Sequence, residues 1–235
     1  MSRRENLAKR CKGCMMHMSL CVCSFFETKL ETRTHLLLII HRSEIRKPTN
    51  TGYLAAKCLA NSSVLVRGNS DNPDEALDFG DTEPVLLYPH EGVKELVPID
   101  RPVTLIVPDG NWRQAAKVRA RVPGLKDVRC AILPPGPPSI YRLRSEAHAH
   151  GLATMEAIAR AMGILEGPHV HDALNVVFRA MVERTLWVRG NLDESEVSGG
   201  LPPGAKKHDP VSGVEGMRGP KVAAEPRGTG ARTPT

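Results

Sequence analysis

Residues 103 to 118, VTLIVPDGNWRQAAKV, decide the fold. Val103, Leu105, Ile106 and Val107 are apolar β-formers that run into Pro108, then Asp109-Gly110, then a helix-favouring segment opening at Trp112. A continuous apolar run of this length, bounded by proline and glycine, predicts a strand buried on both faces, as in a parallel sheet. The turn behind it sets Asp109, Asn111 and Trp112 at the carboxyl end of the strand, where open α/β sheets keep their ligand crevices. An acid, an amide and an indole at that rim point to a site. Taken alone, the same residues also suit structural roles: Asn111 as a helix N-cap, Trp112 as core, Asp109 as a turn residue ahead of glycine.

Working outward, further apolar runs at 36–40, 63–66, 85–89 and 128–133 predict four more strands. Helical patterns cover 53–59, 112–121, 152–162 and 170–188, with about one helical turn at 73–77. The last long helix carries apolar residues at 170, 173, 174, 177, 181 and 182, the spacing of one buried face. Alternating strands and helices make the fold class α/β with a mainly parallel sheet of about five strands. There is no internal repeat, no P-loop, and no G-x-G-x-x-G after a strand, which argues against an NTPase or a Rossmann dehydrogenase.

The chain has 235 residues, 41% hydrophobic and 25% charged, enough for one main domain with appendages. No apolar run is long enough to span a bilayer, and the polar, basic first ten residues lead into no signal-like apolar stretch. The expectation is a cytoplasmic protein with no membrane partner and no evident obligate protein partner. Residues 193–235 hold six basic and six acidic residues, so the net charge of +6 resides in the preceding part. A basic domain surface favours an anionic partner such as nucleic acid, although it also suits plain solubility. Residues 193–235 also contain eight glycines and six prolines, the composition of a disordered tail.

Residues 11–23 read CKGCMMHMSLCVC. Cys11 and Cys14 form a C-x-x-C knuckle, and Cys21 and Cys23 a C-x-C pair. In a reducing compartment four crowded thiols are not read as disulfides. Their number and spacing suit tetrahedral structural Zn²⁺, which lets a short segment fold without a core of its own; an iron–sulfur cluster is the alternative. His17 lies inside the loop and is read as solvated or beside the ligands rather than as one of them.

The strand at 36–40 runs into His41-Arg42 and the polar loop SEIRKPTNTG. Lys47 precedes Pro48 and must leave the α region. Asn50 or Thr51 then caps the next helix. A strand, a polar loop and a helix N-terminus form an anion-binding geometry, strengthened by Arg42, Arg46 and Lys47. From the residues alone, an ordinary capped turn with solvated charges is the preferred reading. The PPGPP run at 134–138 is too constrained for helix or strand. His148 and His150, with no carboxylate partner in the pattern, are read as exposed imidazoles.

Asp-x-Asn-Trp-Arg-Gln-Ala at 109–115 resembles the signature of the DTW-domain family, Asp-x-Thr-Trp, with Asn111 where the family carries Thr. HRSEIRKPTNTG resembles its second block. YRLR followed by LATMEA resembles its third, with Ala153 where Ser or Cys is usual. The cysteine cluster is similar at all four thiols. The resemblance spans about residues 11–160. It implies a SPOUT-like knotted domain, set at 35–192 between an N-terminal basic segment with the zinc knuckle at 1–34 and the tail read from composition at 193–235.

It further implies S-adenosylmethionine as co-substrate and transfer of its 3-amino-3-carboxypropyl group to N3 of a uridine in a tRNA loop. The expected cofactor pocket comprises Val107, Pro108, Gly110 and Asn111, then Leu133 and Pro135, then Leu152 and Thr154. Arg142 or Arg144 would take the cofactor carboxylate or a phosphate. Arg42, Arg46, Lys47, Asn50 and Arg113 are the expected RNA contacts. Asp109 is the expected general base, with partial burial beside Trp112 suiting it to proton transfer. Trp112 either stacks on a base or packs the strand–helix junction. The same pocket with the sulfonium turned would serve a methyltransferase. A non-catalytic zinc-containing RNA-binding protein is the remaining alternative.

Overall fold

The computed structural model describes residues 9–45, 47, 50–68, 76–88, 92–110, 112–143 and 151–207, with only the backbone at Trp112. Arg46, Asn111, Arg144, His148, His150, the Trp112 side chain and the turn expected at 73–77 fall wholly or partly outside the described residues. Five strands form one sheet: β1 (His35–His41), β2 (Ser62–Arg67), β3 (Glu83–Leu87), β4 (Val103–Asp109) and β5 (Arg129–Ala131). Their order is β2-β1-β4-β3-β5, and all four pairings are parallel. The α/β class and the strand count agree with the sequence reading.

Parallel pairing needs crossovers, and among the described residues helices lie in two of the four. Helix α1 (Thr51–Cys58) links β1 to β2, while α2 (Trp112–Ala115) and α3 (Val118–Arg121) lie between β4 and β5. Helices α4 (Thr154–Leu165) and α5 (Pro168–Val188) close the fold. One face of the sheet (Leu36, Leu38, Ile40, Leu105, Val107) packs in a single core with α1, α4 and α5. The other (Leu37, Ile39, Leu86, Ile106) packs under Val122, Leu125 and Val128. Burial on both faces accounts for the unbroken apolar runs.

Several boundaries differ from the sequence reading. Strand β4 continues through Pro108 to Asp109, which pairs in register with Ile40; near a strand end the proline forfeits only one ladder bond. The helix expected over 112–121 is two short helices broken at Ala116-Lys117. Residues 193–207, read as the start of a disordered tail, pack against the body. Val197 is buried, Ser198 N–H donates to Glu183 (2.6 Å), and Arg184 Nε donates to the Gly200 carbonyl (3.0 Å). The remainder of the tail, and the path from Leu143 to Gly151 where a threaded loop would have to be traced, lie outside the described residues.

Candidate functional site

The carboxyl edge of the sheet gathers its polar residues around Asp109. Register places it at the last position of β4, and it is 9% exposed. Asn50, the N-cap of α1, accepts the Tyr53 N–H at 2.6 Å, and its Nδ2 donates to Asp109 Oδ2 at 2.7 Å. Thr154, the first residue of α4, donates its hydroxyl to Asp109 Oδ1 at 2.6 Å. Thr51 Oγ1 accepts the Met155 N–H at 3.4 Å, a weaker tie between the same two helices. The carboxylate thus bridges two helix N-termini, whose dipoles and donors favour its negative charge.

Gly52 makes this approach possible. A Cβ there would lie 2.9 Å from Asp109 Cγ and 3.0 Å from Thr154 Cγ2, both held rigidly. Gly52→Ala is therefore expected to cost about 1–3 kcal/mol through overpacking and to displace the carboxyl. A thermal-unfolding comparison checks this; an unchanged midpoint would show that the rim has slack.

A second carboxylate fixes the loop after β5. Glu156 is buried and accepts from Ser139 Oγ (2.5 Å), Ile140 N–H (2.9 Å) and Ala153 N–H (2.8 Å). Arg160 on α4 donates to the Pro137 carbonyl at 2.5 Å. The proline-rich loop is therefore held against the start of α4, the helix that also contacts Asp109. Neither Gly52 nor Glu156 emerged from the sequence as a site residue. Available signals were a glycine in the first turn of a helix and a Glu at the third helical position, where it can reach back to the N-cap.

Of the residues expected from sequence, the structure brings Asn50, Asp109 and Thr154 into direct contact. Val107 is core, with 3% exposure. Pro108, Gly110, Leu133 and Leu152 are half-buried, and Leu133 packs against the main core. Pro135, Arg142, Arg42, Lys47 and Arg113 are exposed, and Lys47 pairs with Glu44 at 2.5 Å. Asn111, Arg46 and Arg144 lie outside the described residues.

The four thiols of Cys11, Cys14, Cys21 and Cys23 lie within 4.8 Å of one another. Cys11 and Cys23 sulfurs are 3.4 Å apart, and those of Cys14 and Cys21 3.7 Å. A tetrahedron with metal–sulfur bonds of about 2.3 Å has edges of about 3.8 Å, so the donor set fits a single ion. An iron–sulfur cluster would spread the sulfurs wider. Gly13 keeps the space open, since a Cβ there would lie 2.7 Å from the Cys23 sulfur. Burial pushes the Cys14 thiol up to about 11 and Cys23 higher still. At Cys11 burial also acts upward, but hydrogen bonds from the Cys14 and Gly13 backbone and from neighbouring thiols bring it down to about 7. Such a crowd resists full ionisation without a cation, which is the condition a metal relieves.

The knuckle is not a separate body. Cys14, Met16, Leu20 and Val22 belong to the main core, and Arg184 of α5 donates to the Cys21 carbonyl while lying over the Phe25 ring at 5.1 Å. Among the described residues no helix is long and apolar enough to cross a membrane.

The chain is similar to tRNA-uridine aminocarboxypropyltransferase 2 of Macaca fascicularis, 28% identical over 168 residues, covering 66% of this chain and 56% of that protein. The Drosophila melanogaster protein of the same name is 25% identical over 180 residues, 72% of each chain. The Mus musculus protein is 27% identical over 173 residues, 66% of this chain and 56% of its own. The chain thus spans a little over half the length of the two mammalian relatives. No solved structure matches it. The DTW-domain profile matches residues 8–186, most of the chain and all of the geometry around Asp109 and the four thiols, and this chain belongs to the DTW-domain family.

Proposed function

We propose that this chain transfers the 3-amino-3-carboxypropyl group of S-adenosylmethionine to N3 of a uridine in a tRNA loop. The observation that carries the reading is Asp109, held at the sheet rim between the N-termini of α1 and α4 within the family's signature segment. The names of the relatives support the substrate class. In this reading Asp109 takes the N3 proton as N3 attacks the Cγ of the amino-acid arm. The carbon–sulfur bond breaks and 5′-methylthioadenosine leaves as a neutral thioether. The sulfonium offers three carbons to a nucleophile, so positioning selects the product. Loops 107–112, 133–136 and 152–154 are assigned that task, with Arg142 as a partner for the cofactor carboxylate. The target base must leave its stack, which favours a loop over a duplex.

Zinc is the metal we assign to the four thiols, in a structural role, because a closed set of four thiolates leaves no open coordination position. Incubation of the protein with S-adenosylmethionine and unmodified tRNA tests the activity. The expected by-product is 5′-methylthioadenosine. S-adenosylhomocysteine would replace the reading with methyl transfer, and neither product would leave an RNA-binding protein.

A further inference from the structure

We infer that the α2–α3 segment is a docking face for the phosphate backbone of an RNA stem, next to the site at Asp109. The inference rests on the proposed action on tRNA and names a surface which that reading does not supply. From Trp112 to Ala131 the chain has six basic residues (Arg113, Lys117, Arg119, Arg121, Lys126, Arg129) and a single acidic one, Asp127. This net +5 compares with +6 for the whole chain, so nearly all of the excess is concentrated in one short crossover.

The placement of these charges separates them from ordinary solubilising residues. Val118 and Val122 turn inward onto the second core, leaving Arg113, Lys117 and Arg121 exposed at successive intervals of four. Lys117, the N-cap of α3, and Arg121 stand one turn apart and repel, Arg113 adds a third cation on the other side of the break, and a solubilising face usually intersperses the signs. Among the described residues only Arg129 of the six is in an ion pair, with Glu83. Arg67, at the end of β2, adds its guanidinium to the same place by donating to the Arg121 carbonyl at 3.0 Å. Arg113 follows Asp109 by four residues, and Arg121 meets Arg67 at the end of β2, two strands from β4, so the basic run leads from the rim across the sheet. A base extruded into the site would leave its flanking stem lying along these residues. Phosphates, spaced regularly and read without sequence preference, suit a row of flexible cations.

Full-length protein and the Arg113→Gln/Lys117→Gln/Arg121→Gln variant would be titrated with labelled tRNA across a potassium chloride series. Three lost phosphate contacts are expected to reduce the slope of log affinity against log salt by about 2 to 3, with an unchanged thermal midpoint. Arg113→Lys/Arg121→Lys should keep the wild-type slope, because it keeps the charge. Should the triple variant fail to fold, Arg121→Gln alone should lose about 0.9 of slope if the stem is a duplex. Wild-type affinity and slope in the glutamine variants would overturn the docking face. Wild-type protein that binds tRNA with the expected slope but yields no 5′-methylthioadenosine would overturn the transferase reading and leave the face standing.

Discussion

Asp109→Asn is expected to lower aminocarboxypropyl transfer by a factor of about 10² to 10⁴, the range a positioned base contributes, with little change in tRNA affinity or thermal stability. The geometry makes this substitution selective. Asp109 has two roles at once: it bridges Asn50 and Thr154, and in the proposed reaction it removes the N3 proton. An asparagine preserves the first. Its carbonyl oxygen can accept from Asn50 Nδ2, while its amide donates to the Thr154 hydroxyl, which can accept as well as donate. The charge and the basicity disappear.

Asp109→Ala, by contrast, leaves two donors at a buried rim without this partner, at about 1–3 kcal/mol each, and should lower both turnover and the unfolding midpoint. Asn50→Ala and Thr154→Val loosen the bridge while leaving the carboxylate, so they should weaken transfer less than Asp109→Asn does. The measurement is single-turnover release of 5′-methylthioadenosine at saturating tRNA, alongside thermal unfolding. Undiminished turnover in Asp109→Asn would strip the residue of proton transfer and leave it a clamp between two helices.

That clamp marks the limit of what the sequence exposes. The sheet is legible because burial on both faces leaves uninterrupted runs such as LLLII at 36–40, and the Asn50 cap is legible because capping is local. The contact of Asp109 with Asn50 and Thr154 joins residues 59 and 45 positions apart, a distance over which no periodicity carries information. The break at Ala116-Lys117 was equally hidden. Both residues favour helix, and the chain breaks there where Val118 and Val122 reach the second core. Composition misplaced the tail boundary because glycine and proline dominate the average, whereas Val197 settles into the core and Leu201 and Ala205 pack against it one at a time. The cysteine cluster was legible in full, since ligand identity and spacing are themselves the signal.

The way that cluster joins the body leads to the second large expected effect. Zinc analysis of the purified chain should find about one ion, lost in Cys11→Ser and in Cys21→Ser, and the loss should destabilise the whole domain rather than the knuckle alone. Cys14, Met16, Leu20 and Val22 are packed in the same core as α1, α4 and α5. Leu30 N–H donates to the Cys58 carbonyl, and Ala60 N–H to that of Leu30, fastening the knuckle's exit to the end of α1. The other end of α1 carries Asn50 and Gly52 against Asp109, so a disordered knuckle would loosen the helix that shapes the rim.

Metal loss of this kind is among the few single changes costing more than about 4 kcal/mol, which for a domain of this size corresponds to a fall in midpoint on the order of 10 °C. One cooperative transition, shifted downward by chelation or by either serine variant, is the expected trace. Two separate transitions, with the upper one unmoved, would instead make the knuckle an appendage. Cys58→Ala provides the control. Burial pushes that thiol up to about 12, with the Cys14 charge adding to the shift, and it stands outside the four-sulfur group, so the metal content should stay at one.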